Sequence, residues 1–125
     1  MTSPERYPAL VMIEERRATS LTYEAAKDLA RIPFEDNRQD ESAGTLPAVT
    51  DAKLLLDAYG FLVGVDLGDN GSGRTVVMLG AHEDVARVVE APVAVVRVGT
   101  GDRYELRIEA ARERMRASEK NPYVG

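Results

Sequence analysis

Lys53-Leu54-Leu55-Leu56-Asp57-Ala58-Tyr59-Gly60-Phe61-Leu62-Val63-Gly64-Val65-Asp66-Leu67 decides the fold of this chain. It reads as two strands, 53–56 and 61–67, around a four-residue turn. Asp57 at the first position and Gly60 at the fourth suit a type I turn followed by a left-handed glycine. Side chains alternate along a strand, so Phe61, Val63, Val65 and Leu67 are expected on one face and Gly64 and Asp66 on the other. That asymmetry predicts a sheet covered on one side only.

Downstream, valine carries the argument. Of 14 valines, 11 lie between Val63 and Val98, and β-branched side chains favour a pleated, half-buried surface. Arg74 to Leu79 reads as a strand. Val93 to Val98 and Arg103 to Ile108 read as a second hairpin around Gly99-Thr100-Gly101-Asp102, with Tyr104, Leu106 and Ile108 inward and Arg103, Glu105 and Arg107 outward. Charges on that outer face discourage edge-to-edge aggregation. Gly80 to Pro92 reads two ways. Val85, Val88 and Val89 make a helical stripe, or Val85 to Glu90 forms a strand after a turn at 80–84; β-branched content favours the strand.

Upstream, Ala9 to Glu15 reads as a strand. Leu21 to Ile32 reads as a helix, with Thr22 as N-cap, Glu24 in the first turn, Arg31 in the last and Pro33 as terminator. Glu35 to Ala48 is polar, holds Gly44 and Pro47, and reads as an exposed loop. Glu109 to Lys120 has a charged helical pattern whose apolar contacts are Ala110, Ala111 and Met115, and 121–125 form a tail. The expected fold is α+β: a curved antiparallel β-meander or small barrel, packed by an N-terminal helix and a polar C-terminal helix. One domain spans 1–125, with its core at about 9–109 and a helix and tail at 110–125.

Composition narrows the chemistry. The chain has 125 residues, 44% hydrophobic and 30% charged, with a formal charge of −5, values of an ordinary globular domain. The absence of cysteine removes disulfides, thiolate metal sites and Cys nucleophiles, and a single histidine removes His-pair metal sites within one chain. No cofactor or metal is expected. No 18-residue apolar run or signal-peptide core is present, so a cytoplasmic location is expected, without membrane attachment. The 13 arginines against 3 lysines, with abundant Ala and Val, suggest a bacterial source.

Several segments invite a functional reading. Gly68-Asp69-Asn70-Gly71-Ser72-Gly73-Arg74-Thr75 matches a phosphate-binding loop except that Arg74 replaces lysine. Such a loop needs a helix behind it. Here a strand follows, and Asp66 and Asp69 repel phosphate, so a hairpin loop is the plainer reading. As a calcium loop the segment fails where Val77 replaces the bidentate glutamate. His82, beside Glu83 and Asp84, has the makings of a general base, but spacing ties no nucleophile to it. Arg112, Arg114 and Arg116 interleave with Glu109, Glu113 and Glu119, the pattern of a solvated helix face, so nucleic-acid binding is not expected. Tyr123 and Val124, beyond a polar helix, suit a short linear peptide that docks on a partner.

The run Leu56-Asp57-Ala58-Tyr59-Gly60-Phe61-Leu62-Val63-Gly64-Val65-Asp66-Leu67 resembles a hairpin of small bacterial β-barrel domains of the PRC-barrel group. The resemblance covers residues 56–67 and implies a small barrel or curved meander used for protein contacts, with no catalytic residues. The expected function is a non-enzymatic protein-interaction or assembly module of a bacterial complex, acting on a protein partner or as a homo-oligomer. A Val-rich sheet larger than two short helices can cover would leave an apolar contact surface. The alternative is a small-ligand binder (phosphate or nucleotide) or enzyme, using Gly68, Gly73, Arg74 and Thr75 of the 66–75 loop together with His82.

Overall fold

A computed structural model describes residues 13–35, 49–69, 74–99 and 103–124. Among the described residues eight strands form one mixed sheet: β1 (Ile13–Arg17), β2 (Thr22–Glu24), β3 (Leu29–Glu35), β4 (Val49–Leu56), β5 (Leu62–Asp69), β6 (Arg74–Met78), β7 (Arg87–Arg97) and β8 (Arg103–Glu109). A single-turn helix, α1 (Ala111–Arg114), follows β8. The spatial order is β1-β6-β5-β4-β7-β8-β3-β2. Every pairing is antiparallel except β1 with β6, which is parallel. The expected all-antiparallel meander is corrected on that point.

The connectivity forces the sheet to curl. β1 and β2 are its two edges, and a flat sheet would separate them by seven strand spacings of about 4.8 Å, roughly 34 Å. Only residues 18–21 join them, and the five Cα steps from Arg17 to Thr22 reach at most about 18 Å. The sheet therefore rolls into a half-barrel that brings β1 against β3. Its interior is filled by Ala30, Ile32, Phe34, Leu54, Leu56, Leu62, Val65, Leu67, Val77, Val93, Leu106 and Ile108, all nearly or fully buried. Burial of these side chains, at about 1.5–3 kcal/mol each for the larger ones, is the main stabilising term.

The 57–60 turn forms as expected. Asp57 Oδ1 accepts from the amides of Tyr59 (2.8 Å) and Phe61 (2.9 Å), and Gly60 has φ of +94°. The facing of the next strand is corrected. Leu56 pairs with Leu62 while Leu55 pairs with Gly64, so an extra residue, Val63, bulges between them. Bulges shift the alternation. Leu62, Val65 and Leu67 face the core, whereas Val63 joins Val76 and Met78 in a smaller cluster. Gly64 admits Met78 there: a Cβ on Gly64 would lie 2.6 Å from Met78 Sδ and 2.9 Å from the Val77 carbonyl oxygen.

Both expected helices are corrected. Residues 22–32 form β2, a turn at 25–28 and most of β3. Ala30, Ile32 and Phe34 alternate inward while Arg31, Pro33 and Glu35 alternate outward, a period of two that β8 completes through seven register pairs. Tertiary pairing outweighs the helical propensity of Ala25 to Ala30. Asp28 takes φ of +51° and closes the turn. Near the C-terminus, Glu109 belongs to β8, Ala110 is left-handed at φ +52°, and Met115 is extended after one turn. Met115 and Ala117 are both buried, an alternation that an extended chain satisfies and a helix does not.

The ambiguous segment resolves as a single 3-10 turn at His82–Asp84 followed by β7, the strand reading. β1 begins at Ile13, so 9–12 of the expected 9–15 strand lie outside the described residues, as do 36–48 of the expected loop; Glu35 belongs to β3.

Candidate functional site

The C-terminal segment runs back across the 57–61 turn. The Arg116 amide donates to the Gly60 carbonyl at 2.8 Å, and its guanidinium lies 5.0 Å from the Phe61 ring centre. Asn121, 5% exposed, donates through Nδ2 to the Leu62 carbonyl at 2.8 Å. It also accepts from the Tyr123 amide through Oδ1 at 2.8 Å. The Tyr123 hydroxyl donates to Asp57 Oδ2 at 2.7 Å, and its ring fills the space a Cβ on Gly80 would need, 2.7 Å away. The bond to Asp57, with burial, pushes the Tyr123 hydroxyl up to about 12. Burial pushes the Asp57 carboxyl up, but the Tyr123 hydroxyl and the amides of Phe61, Tyr59 and Gly60 together hold it below its usual value. Tyr123 and Val124, read from sequence as a partner-docking peptide, are thus placed against their own chain, half-buried on the main core.

The 66–75 segment is the β5–β6 hairpin. Gly68 is left-handed at φ +83° with open space around it. Arg74 grips Asp66 with two nitrogens, Nε lying 3.1 Å from each carboxylate oxygen and Nη2 bonded to Oδ2. Thr75 is 1% exposed, and Gly73 lies outside the described residues. No helix follows to direct amides at a phosphate. His82, on the 3-10 turn that follows β6, is exposed, and its Nε2 lies 2.9 Å from Glu15 Oε1; no contact joins it to Arg74 among the described residues. Among the described residues no three His, Asp or Glu side chains converge on a metal-sized site, and no helix is long and apolar enough to cross a membrane.

The outer surface of the half-barrel divides into two unlike halves. Over β2, β3 and β8 it is ion-paired: Arg31 bridges Glu24 at 2.9 Å and reaches Glu105 at 3.9 Å, and Arg107 bonds Glu105 at 2.7 Å. Over β7 it is apolar. Ala91, Val93 and Val95 point into the core, so Val88, Glu90, Pro92, Ala94, Val96 and, beyond the strand, Val98 point out. Five of those six are apolar, and Val88 and Val98 are 53% and 41% exposed. Lys53 and Asp51 of β4 flank this stripe opposite Glu90 and Pro92. Arg107 and Glu105 of β8 flank it opposite Ala94 and Val96.

Sequence reading anticipated an uncovered apolar patch but not these residues. The available signal was that residues 88–98 are apolar at both parities, so whichever face fills the core, the other must expose valines. Comparison with family models, curated proteins and solved structures returns no match to this chain.

Proposed function

We propose that this protein is a non-enzymatic assembly module that pairs with a second copy of itself through the outward face of β7. The observation carrying the proposal is the stripe Val88, Pro92, Ala94, Val96, Val98, an apolar centre with a charged rim, which is the anatomy of an interface. The rim favours a like partner. Each flank carries one base and one acid, Lys53 with Asp51 and Arg107 with Glu105. With Glu90 on the stripe itself the surface carries two bases and three acids, a small share of the chain's charge of −5, so two copies meet there with little net repulsion.

Size sets the strength. Strands rise about 3.3 Å per residue and lie about 4.8 Å apart; β4 flanks β7 as far as Ala94 and β8 from Ala94 onward, so the stripe presents roughly 350 Å². Two such faces bury about 700 Å², the size of a weak, transient contact, which points to a dimer with a dissociation constant on the order of 100 μM.

The likeness of 56–67 to the PRC-barrel group, domains used for protein contacts, agrees with this reading and is part of the proposal. The phosphate reading loses support from the Asp66 carboxylate, which already neutralises Arg74. Sedimentation equilibrium tests the proposal. The native chain should show a monomer–dimer equilibrium, and Val88→Asp, at a position already 53% exposed, should weaken it at least about tenfold by placing two carboxylates in the interface. A native chain that stays monomeric at 1 mM, about ten times that dissociation constant, would refute it.

A further inference from the structure

Residues 111–124 dock on the half-barrel through sites far away in sequence. The Ala111 amide donates to the Asp28 carbonyl at 3.1 Å and the Arg112 amide to Asp28 Oδ1 at 2.9 Å. Further on, the segment is bonded to the Gly60 and Leu62 carbonyls and to the Asp57 carboxylate. Ala111, Met115, Ala117 and Asn121 are buried by this docking. The turn that presents Tyr123 is made by the segment itself, through Asn121 Oδ1 and the Tyr123 amide. None of these contacts requires the segment and the barrel to belong to one molecule.

The link between them is strained. β8 ends at Glu109, and Ala110 takes φ +52° and ψ +45° without a side-chain cap. That left-handed conformation suits glycine and strains alanine. Asp28, which receives Ala111 and Arg112, is left-handed as well at φ +51°. These are the two non-glycine residues of positive φ among the described residues, and they meet at this hinge. Strain in a short hinge favours exchange of the segment beyond it, because the docking contacts are the same in either arrangement while the hinge relaxes on opening. An opened copy leaves Asp57 Oδ2 and the Leu62 carbonyl without these donors, and the space over Gly80 without the Tyr123 ring. Buried acceptors left so are costly, and a second copy of 116–124 satisfies them.

We infer that residues 111–124 exchange between two copies of this chain, so that Asn121 and Tyr123 of one complete the 57–62 turn of the other. The exchange uses none of the outward residues of β7 and stands or falls apart from contact through that face.

The experiment mixes two preparations at millimolar concentration and records ¹H–¹⁵N spectra after equilibration. One is labelled with ¹⁵N. The other is unlabelled, carries Lys120→Cys at an exposed position, and bears a nitroxide there. Both carry Val88→Asp, which weakens association through β7. Only a segment docked on another copy can bring the nitroxide to the ¹⁵N chain. The expected result is broadening centred on the amides of Gly60, Leu62 and Gly80, because Asn121, next to the label, bonds the Leu62 carbonyl. Ala110→Gly in both preparations removes the hinge strain from the closed form, its fold verified by the same spectra, and should weaken exchange at least about fivefold. No broadening beyond that caused by free nitroxide, broadening centred on other residues, or exchange unchanged by Ala110→Gly would each overturn the inference.

Discussion

Replacing Tyr123 by Phe removes one hydroxyl and tests whether the C-terminal segment is clasped to the barrel as the geometry requires. That hydroxyl donates to Asp57 Oδ2 at 2.7 Å. Asp57 is 5% exposed, and its other oxygen already accepts from Tyr59 and Phe61. Hydrogen bonds to charged groups contribute about 1.5–3 kcal/mol, and a buried acceptor left unpaired places the loss in the middle of that range, about 2 kcal/mol. For a chain of this length that is a fall in Tm of roughly 8 °C. Urea unfolding followed by circular dichroism reads it as a lower midpoint with an unchanged slope.

The pH dependence adds a second constraint on that variant. The folded Tyr123 value is raised to about 12 from 10.0, so its contribution is fully present below pH 10 and disappears as pH rises towards 12. The folded Asp57 value is lowered from 3.8, so that group's contribution is present above pH 3.8 and declines as pH falls through the folded value. The gap between native and Tyr123→Phe stability should hold from pH 5 to pH 9 and close between pH 10 and 12. A variant as stable as the native chain at pH 7, or a gap still open at pH 12, would refute the clasp.

Two further substitutions probe the sheet itself. Gly64→Ala drives a Cβ into Met78 and the Val77 carbonyl and should cost about 1–3 kcal/mol by urea unfolding; Met78, itself fully buried, should cost less to replace by Ala in that variant than in the native chain, because the clash with sulfur is relieved. Arg74→Ala removes the guanidinium from Asp66, which is 8% exposed and keeps only the Gly68 amide at 2.9 Å, and should cost about 1.5–3 kcal/mol. Because that arginine is already neutralised, calorimetric titration of the native chain with inorganic phosphate or ATP should give no heat of binding.

The β-rich architecture was legible where local chemistry and sheet geometry agree. Asp57 and Gly60 write the first turn directly, and the alternation from Tyr104 to Ile108 survives intact. The reading failed where two periodicities overlap. Residues 22–35 contain both a capped helical pattern and the alternation Ala30, Ile32, Phe34; only the presence of β8 alongside selects the second. The Val63 bulge was illegible because each residue of 61–67 has an acceptable strand identity, and its displacement depends on Met78 lying over Gly64. The same limit applies to the candidate interface: Val88 to Val98 announce surplus apolar surface, but which valines face out follows from the register with β4 and β8.

The central claim is that the outward face of β7 meets its copy. Because the chain contains no cysteine, Ala94→Cys provides a single attachment point for a nitroxide at the middle of the stripe, and pulsed dipolar spectroscopy reads the separation of two labels. Face-to-face sheets pack about 10 Å apart, so a narrow distance distribution centred at roughly 10–20 Å is predicted. Label pairs absent at concentrations where the chain self-associates, or a distribution centred beyond about 40 Å, would place the contact elsewhere and contradict the account.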